Sequence, residues 1–239
     1  MLKDKKVFVS GASGAIGYSI AEILLSNSVA SDIFLTGRSE KLLDKTTINL
    51  KTQFPAARVF SKSADLSNYD QIINVTNYAK EKLEHVDILV NCAGIFNVKN
   101  LILESYEDIS EIFHVNLFAP IIFSKEFSKT MIQNQWGKII NIGSSSCYTG
   151  YKNTSLYCST KHGLLGFSKS LHDELKDKNI SVSCISPSST KSRIGDATPF
   201  QDKETFLDAK DIAKVVYDIL SLSDGACIEE LLIKRRITR

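Results

Sequence analysis

The 239-residue chain contains no apolar run approaching the roughly 18 residues a membrane-spanning helix needs, so nothing in it reads as a membrane span. Neither sign of charge dominates. Lys and Arg number 29 against 27 Asp and Glu, and there is no long block of like charge, so composition gives no reason to expect nucleic acid as a partner. Proline is scarce, at four residues, and no Gly/Ser-rich linker, internal repeat or low-complexity tract divides the chain. The five cysteines (Cys92, Cys147, Cys158, Cys184, Cys227) are odd in number and scattered, without a C-x-x-C pair. They suit reduced thiols better than a disulfide framework or a zinc site. His85, His114, His162 and His172 show no metal-ligand spacing, and no metal is expected. The first apolar run, Val7-Phe8-Val9, stops at a glycine loop instead of extending into a signal peptide, so a cytoplasmic protein is expected.

Short apolar runs alternate with amphipathic stretches over the whole length. The runs predict strands at 6–10, 33–36, 58–62, 86–91, 138–143, 181–185 and 227–233. Several are rich in Val and Ile without strict alternation, as strands covered on both faces should be. Helical patterns occupy 15–26, 40–53, 69–83, 106–133, 156–176 and 211–220. This alternation predicts a doubly wound α/β fold, a parallel sheet with helices on both faces, as one domain spanning 1–239.

Gly11, Ser13, Gly14, Ile16 and Gly17 lie in the loop that leaves the first strand and opens the first helix. Glycines at such a corner permit a tight turn and close approach to a pyrophosphate, and the helix N-terminus offers free N–H groups to the anion. Ser13 can add a hydroxyl donor. A turn that merely closes the corner is the alternative, and the position after the first strand of a strand–helix series favours the phosphate site. The second strand runs into Thr36-Gly37-Arg38-Ser39, with no acid to bind a ribose hydroxyl. Arg38 offers a planar fork suited to a 2′-phosphate, and Ser39 opens the next helix. NADP(H) is therefore expected over NAD(H), unless Arg38 is an ordinary surface charge.

Tyr157 and Lys161 are four residues apart in a helical pattern and share one face. A neighbouring ammonium stabilises a phenolate, which makes Tyr157 a candidate general acid/base. One such pair is expected by chance in a chain of this composition, so its companions decide. Ser144 stands just past a predicted strand, where its hydroxyl could polarise a carbonyl oxygen. Asn116 lies within a largely apolar helical pattern. A buried amide there needs a partner, which either a water relay to Lys161 or a satisfied site in the core would provide.

Taken with the glycine loop, Asp65-Leu66 after the third strand, Asn91-Cys92-Ala93-Gly94 after the fourth, and Pro187 after the sixth, these residues resemble the short-chain dehydrogenase/reductase family from end to end, in its shorter single-domain branch. The resemblance implies a Rossmann-like, seven-stranded parallel sheet binding a nicotinamide dinucleotide. It also implies roles for individual residues. Tyr157 would donate or accept the substrate proton, and Ser144 would hold the substrate oxygen. Lys161 would support the tyrosine and bind the nicotinamide ribose, and Asn116 would position a relay water. Asp65 would meet the adenine amine, with Leu66 contributing backbone contacts. Asn91, Ala93 and Gly94 would line the ribose side, and Pro187 and Ser192 would contact the nicotinamide end. A homodimer or homotetramer, paired through the helices at 106–133 and 156–176, is also implied.

The chain departs from the family pattern at Ala15, where glycine is usual, at Cys92, which replaces a second asparagine, and at Ser188, which replaces a glycine. Cys92 reads as a packing change. The stretch 188–206 lacks a clear period and is expected to be a substrate lid. Phe96, Tyr148, Tyr151 and Phe200 are expected around the pocket, or else are ordinary loop aromatics. The basic end Lys234-Arg235-Arg236 reads as a solvated tail. The expected activity is NADPH-dependent hydride transfer to a small carbonyl substrate, or the reverse oxidation of an alcohol. The alternatives are reduction of a 3-oxoacyl group on a carrier protein and, in another class, a non-catalytic NADP-binding redox sensor.

Overall fold

The computed structural model describes residues 2–196 and 201–236. Seven parallel strands form one sheet: β1 (Lys5–Ser10), β2 (Ala30–Gly37), β3 (Arg58–Ser63), β4 (Ile88–Asn91), β5 (Gly137–Ile142), β6 (Ile180–Pro187) and β7 (Glu230–Ile233). Their order across the sheet is β3-β2-β1-β4-β5-β6-β7. The chain runs outward from β1 to β3 and then returns to place β4 on the other side of β1. This reversal opens a crevice at the carboxyl ends of β1 and β4, where ligands of such sheets bind.

Alternation along the strands sends side chains to two covered faces. Val7, Val9, Ile33, Leu35, Ile88 and Val90 meet helices α1 (Ala15–Ser26), α2 (Glu40–Gln53) and α8 (Ala209–Leu220) on one face. Phe8, Phe34, Leu89, Ile139 and Val182 meet α3 (Tyr69–Leu83), α5 (Ala119–Asn134) and α6 (Ser155–Leu175) on the other. The second face is knit by aromatic rings. Phe8 stacks on Phe34 at 5.6 Å and tilts against Phe123 and Phe127 at 4.9 and 4.8 Å.

Helices 15–26, 40–53 and 69–83 have the predicted bounds, most other elements shift at one or both ends, and for three of these the cause is visible. The helix expected at 106–133 is α4 (Tyr106–Phe113), a five-residue π turn (His114–Phe118) and then α5, which carries Pro120 in its first turn. The last strand is confined to Glu230–Ile233, because only there does the chain pair with β6, Cys184 opposite Glu230 through Pro187 opposite Ile233. The helix expected from 211 begins at Ala209, where the Asp208 side chain caps the Lys210 N–H. The stretch 188–206 is not uniformly irregular. It contains the short helix α7 (Arg193–Asp196), a 3-10 turn (Lys203–Thr205) and a bridge from Thr190 to Leu207, while residues 197–200 lie outside the described residues. Among the described residues, no helix is long and apolar enough to cross a membrane.

Candidate active site

Two adjoining cavities open at the carboxyl ends of the strands. The first, of about 590 Å³, lies over the glycine loop, and the second, of about 500 Å³, over Ser144 and Tyr157. Ile16, Cys92, Gly94, Phe96, Ser192 and Ile194 line both, so the two are halves of one cleft.

The first cavity is built on missing side chains. Gly11 has φ +70°, and a Cβ there would stand 2.7 Å from the Ala93 backbone. A Cβ on Gly17 would stand 2.4 Å from the Gly11 carbonyl oxygen. The loop therefore folds flat against the start of α1. Gly14 supplies the N-cap with no side-chain hydrogen bond, and no acid occupies the first turn of the helix. The first N–H groups and the positive end of the helix dipole are left for an anion, which fits a dinucleotide pyrophosphate. Ser13 also lines this cavity. Ser10, which sequence reasoning missed, ties the two loops together, its hydroxyl accepting from Cys92 N–H at 3.1 Å and Ala93 N–H at 3.2 Å.

Arg38, Ser39, Asp65 and Leu66 border the same cavity. Arg38 carries a partner that the sequence did not reveal: its Nη1 lies 3.1 Å from Glu111 Oε1 on α4, in a pair open to solvent. The Ser39 hydroxyl accepts from Leu42 N–H and so caps α2. Asp65 Oδ1 accepts from the backbone and hydroxyl of Ser67 at 3.0 and 2.8 Å, which fixes that carboxylate at the mouth of the cavity. Asn91, the last residue of β4, is buried and does not line either cavity. It donates to Asn141 Oδ1 at 2.8 Å, and its own Oδ1 is buried without a partner. Ala93 and Gly94 follow it into the cavity wall.

The second cavity brings Ser144, Tyr157, Lys161 and Pro187 together. β5 ends at Ile142, which places Ser144 at the strand's carboxyl end. Its Oγ accepts from Ser146 N–H at 3.1 Å. One turn of α6 separates Tyr157 from Lys161. The Lys161 Nζ lies 5.8 Å from the Tyr157 ring centroid and donates to the Ile142 carbonyl at 2.9 Å. Both side chains are largely buried, and Phe96 packs its ring edge-on against Tyr157 at 4.8 Å.

Asn116 lies at the centre of the π turn, fully buried. Its Oδ1 accepts from Ile95 N–H at 2.8 Å, and its Nδ2 donates to the Ile95 carbonyl at 2.9 Å and to Thr160 Oγ1 at 3.2 Å. Its partners are thus Ile95 and Thr160 rather than Lys161. It still adjoins that lysine across Gly94, where a Cβ would lie 3.4 Å from Asn116 Oδ1 and 3.9 Å from Lys161 Nζ.

Burial pushes the Cys92 thiol up to about 12, against a smaller opposing pull from Lys161, which keeps it protonated between the cavities. Behind Ser144, the Cys147 sulfur accepts from Ser144 N–H at 3.4 Å. A hydrogen bond with Cys184 holds the Cys147 thiol below its ordinary range, and the same pairing, with burial, raises Cys184. Of the expected pocket aromatics, Phe96 and Tyr151 line the second cavity. Tyr148 does not: it turns to Glu230, 3.3 Å away, and burial pushes its hydroxyl up to about 12. Phe200 lies outside the described residues.

The far wall comes from the residues after β6 and from those after β7. The Ser192 hydroxyl donates to Thr190 O and accepts from Gly195 N–H, which builds the first turn of α7. Arg193 reaches back to the Ser13 carbonyl at 3.4 Å and joins this segment to the glycine loop. The basic end is not wholly a solvated tail. Lys234 and Arg235 line the second cavity, because β7 runs parallel to β6 and delivers them to the same end of the sheet as Ser144, whereas Arg236 is exposed. No sequence signal marks this placement, since it depends entirely on that distant pairing.

Comparison with known proteins agrees with this architecture. Residues 5–202 match the family model described as short chain dehydrogenase. Nodulation protein G of Rhizobium sp. (strain N33) is 35% identical over 208 residues, 87% of this chain and 82% of that protein. The 3-oxoacyl-(acyl-carrier-protein) reductase FabG of Rickettsia typhi (strain ATCC VR-144 / Wilmington) is 31% identical, over 85% of this chain and 80% of the relative. A metagenomic short-chain oxidoreductase solved in complex with NADP superposes with a TM-score of 0.85 at 26% identity, covering 99% of both chains. The chain belongs to the short-chain dehydrogenase family.

Proposed function

We propose that the protein is an NADPH-dependent reductase of a small carbonyl compound, with Tyr157 as the proton donor. The observation that carries this reading is the convergence of Ser144, Tyr157 and Lys161 on one cavity that opens directly onto the glycine-loop cavity. A pure NADP-binding sensor has no need of such a proton-transfer set.

Gly11, Ser13, Gly14, Ile16 and Gly17 would hold the pyrophosphate, Arg38 and Ser39 the 2′-phosphate, and Asp65 and Leu66 the adenine. Ala93, Gly94 and Lys161 would serve the nicotinamide ribose, and Pro187 and Ser192 the nicotinamide end, while Asn91 stays behind the cavity wall, bonded to Asn141. When bound, the reduced nucleotide supplies the hydride that the carbonyl carbon accepts. Ser144 holds the carbonyl oxygen by a hydrogen bond, which places it for protonation. Tyr157 gives its phenolic proton to that oxygen as the alcohol forms, and the positive charge of Lys161 stabilises the phenolate left behind. Asn116 positions the Gly94–Ile95 loop beside Lys161, where a relay water would return the proton to Tyr157. The described residues 188–196 and 201–206 would cover the substrate as a lid. Oxidation of the alcohol runs through the same groups in reverse.

A second reading, reduction of a 3-oxoacyl group on a carrier protein, is supported by the similarity to the Rickettsia reductases. Relative rates on carrier-bound and free carbonyl substrates separate the two. The central assignment is tested with Tyr157→Phe, which is expected to abolish turnover while NADPH still protects the fold. A Phe variant with wild-type rates would overturn it.

A further inference from the structure

The second cavity is one-sided in charge. Its described lining includes four cations, Lys152, Lys161, Lys234 and Arg235, and no carboxylate. Lys161 is occupied by the Ile142 carbonyl. Among the described residues, no carboxylate forms an ion pair with Lys152, Lys234 or Arg235.

Arg235 differs from its two lysine neighbours in being held. Its backbone N–H donates to Ser188 Oγ at 3.0 Å, Nη1 donates to Thr205 Oγ1 at 3.0 Å, and the guanidinium lies over the Phe206 ring at 5.2 Å. These contacts fix the side chain between the end of β6 and the root of the lid segment. They also leave it incomplete. Nε is buried with no hydrogen-bond partner, and Nη2 has none among the described residues. A buried donor without an acceptor is costly, and the Nε/Nη2 edge of a guanidinium is the edge that matches the two oxygens of a carboxylate or phosphate.

We infer that the substrate carries an anionic group, a carboxylate or a phosphate, set apart from the carbonyl that is reduced, and that Arg235 anchors it while Lys152 and Lys234 add attraction from the rim. The inference deepens the carbonyl-reductase reading and rests on it. It limits the substrate to acidic carbonyl compounds and makes the C-terminal end a determinant of specificity.

The test uses the full chain with NADPH and matched substrates: straight-chain oxo acids beside their methyl esters, and oxoalkyl phosphates beside the parent oxoalcohols. The acid or phosphate member is expected to be favoured in kcat/KM by about 10- to 100-fold, the range for a charge-assisted hydrogen bond. The ratio should fall toward unity in Arg235→Gln, drop partway in Arg235→Lys, and persist in Arg236→Gln, which changes the same net charge outside the cavity. The two arms tell a carboxylate from a phosphate. Neutral members used as well as charged ones, or a charge preference unchanged in Arg235→Gln, would overturn the inference. Where no compound is turned over, thermal stabilisation of the NADP-loaded chain by the same pairs decides it by the same criteria. A chain that NADPH does not stabilise at all instead sinks the reductase reading on which the inference rests.

Discussion

Asn116 grips Ile95 from both sides, accepting from its N–H at 2.8 Å and donating to its carbonyl at 2.9 Å. The π turn that turns Asn116 inward thereby fixes the loop bearing Gly94, which lies between the Asn116 amide and the Lys161 ammonium. Asn116→Ala would leave the Ile95 backbone groups without these partners. The expected cost is about 2 kcal/mol, within the range for orphaned buried polar groups, read as a lower urea midpoint. A midpoint equal to wild type would show that the clasp contributes nothing to stability.

Arg38 faces the first cavity with Glu111 already beside it, so a 2′-phosphate must compete with or share that carboxylate. Arg38→Ala is expected to weaken NADPH binding by about 10- to 100-fold while barely changing NADH binding. Glu111→Gln removes the competitor and should tighten NADPH binding by up to about fivefold, since an exposed pair is worth little. Titration of both nucleotides against each variant measures this. Equal losses for NADPH and NADH in Arg38→Ala would make Arg38 a general surface charge.

Glu126 on α5 links to Lys129 on its own helix and to Lys80 on α3, each at 2.7 Å. Hydrogen bonds from Lys129 and then Lys80 lower its carboxyl from 4.5 to about 2. A depressed carboxylate contributes stability that is present above the unfolded value and is lost as pH falls through the folded one. Wild type should therefore exceed Glu126→Gln at neutral pH, and the gap should close between about pH 4.5 and pH 2. Urea midpoints of the two proteins across that window check it. A gap constant with pH would mean that the carboxylate's charge is not involved.

Much of this architecture was legible in the sequence because it is local. The glycine loop, the strand–helix alternation and the four-residue spacing of Tyr157 and Lys161 all follow from short-range chemistry and periodicity, and the seven-stranded parallel sheet bears the alternation out. What escaped notice depends on long-range pairing or on a break in period. The apolar pattern from 106 to 133 runs through the π turn unbroken, and Pro120 was the one residue hinting at a new first turn. The direct partner of Asn116 is Ile95, a residue 21 positions away that no periodicity points to. The partnership of Arg38 with Glu111 crosses 73 residues. Arg235 reads as tail from composition alone, and becomes cavity wall only once β7 pairs with β6.

Thermal unfolding of the chain with NADPH, NADH or neither tests whether the cleft binds a nicotinamide dinucleotide and prefers the one carrying a 2′-phosphate. A ligand of the native state at a hundredfold excess over Kd adds about 2.7 kcal/mol, which for a chain of this size is a rise of about 5–10 °C. That rise is expected with NADPH and a clearly smaller one with NADH. An equal or larger shift with NADH would contradict the assignment of Arg38, and no shift with either would contradict the reductase itself.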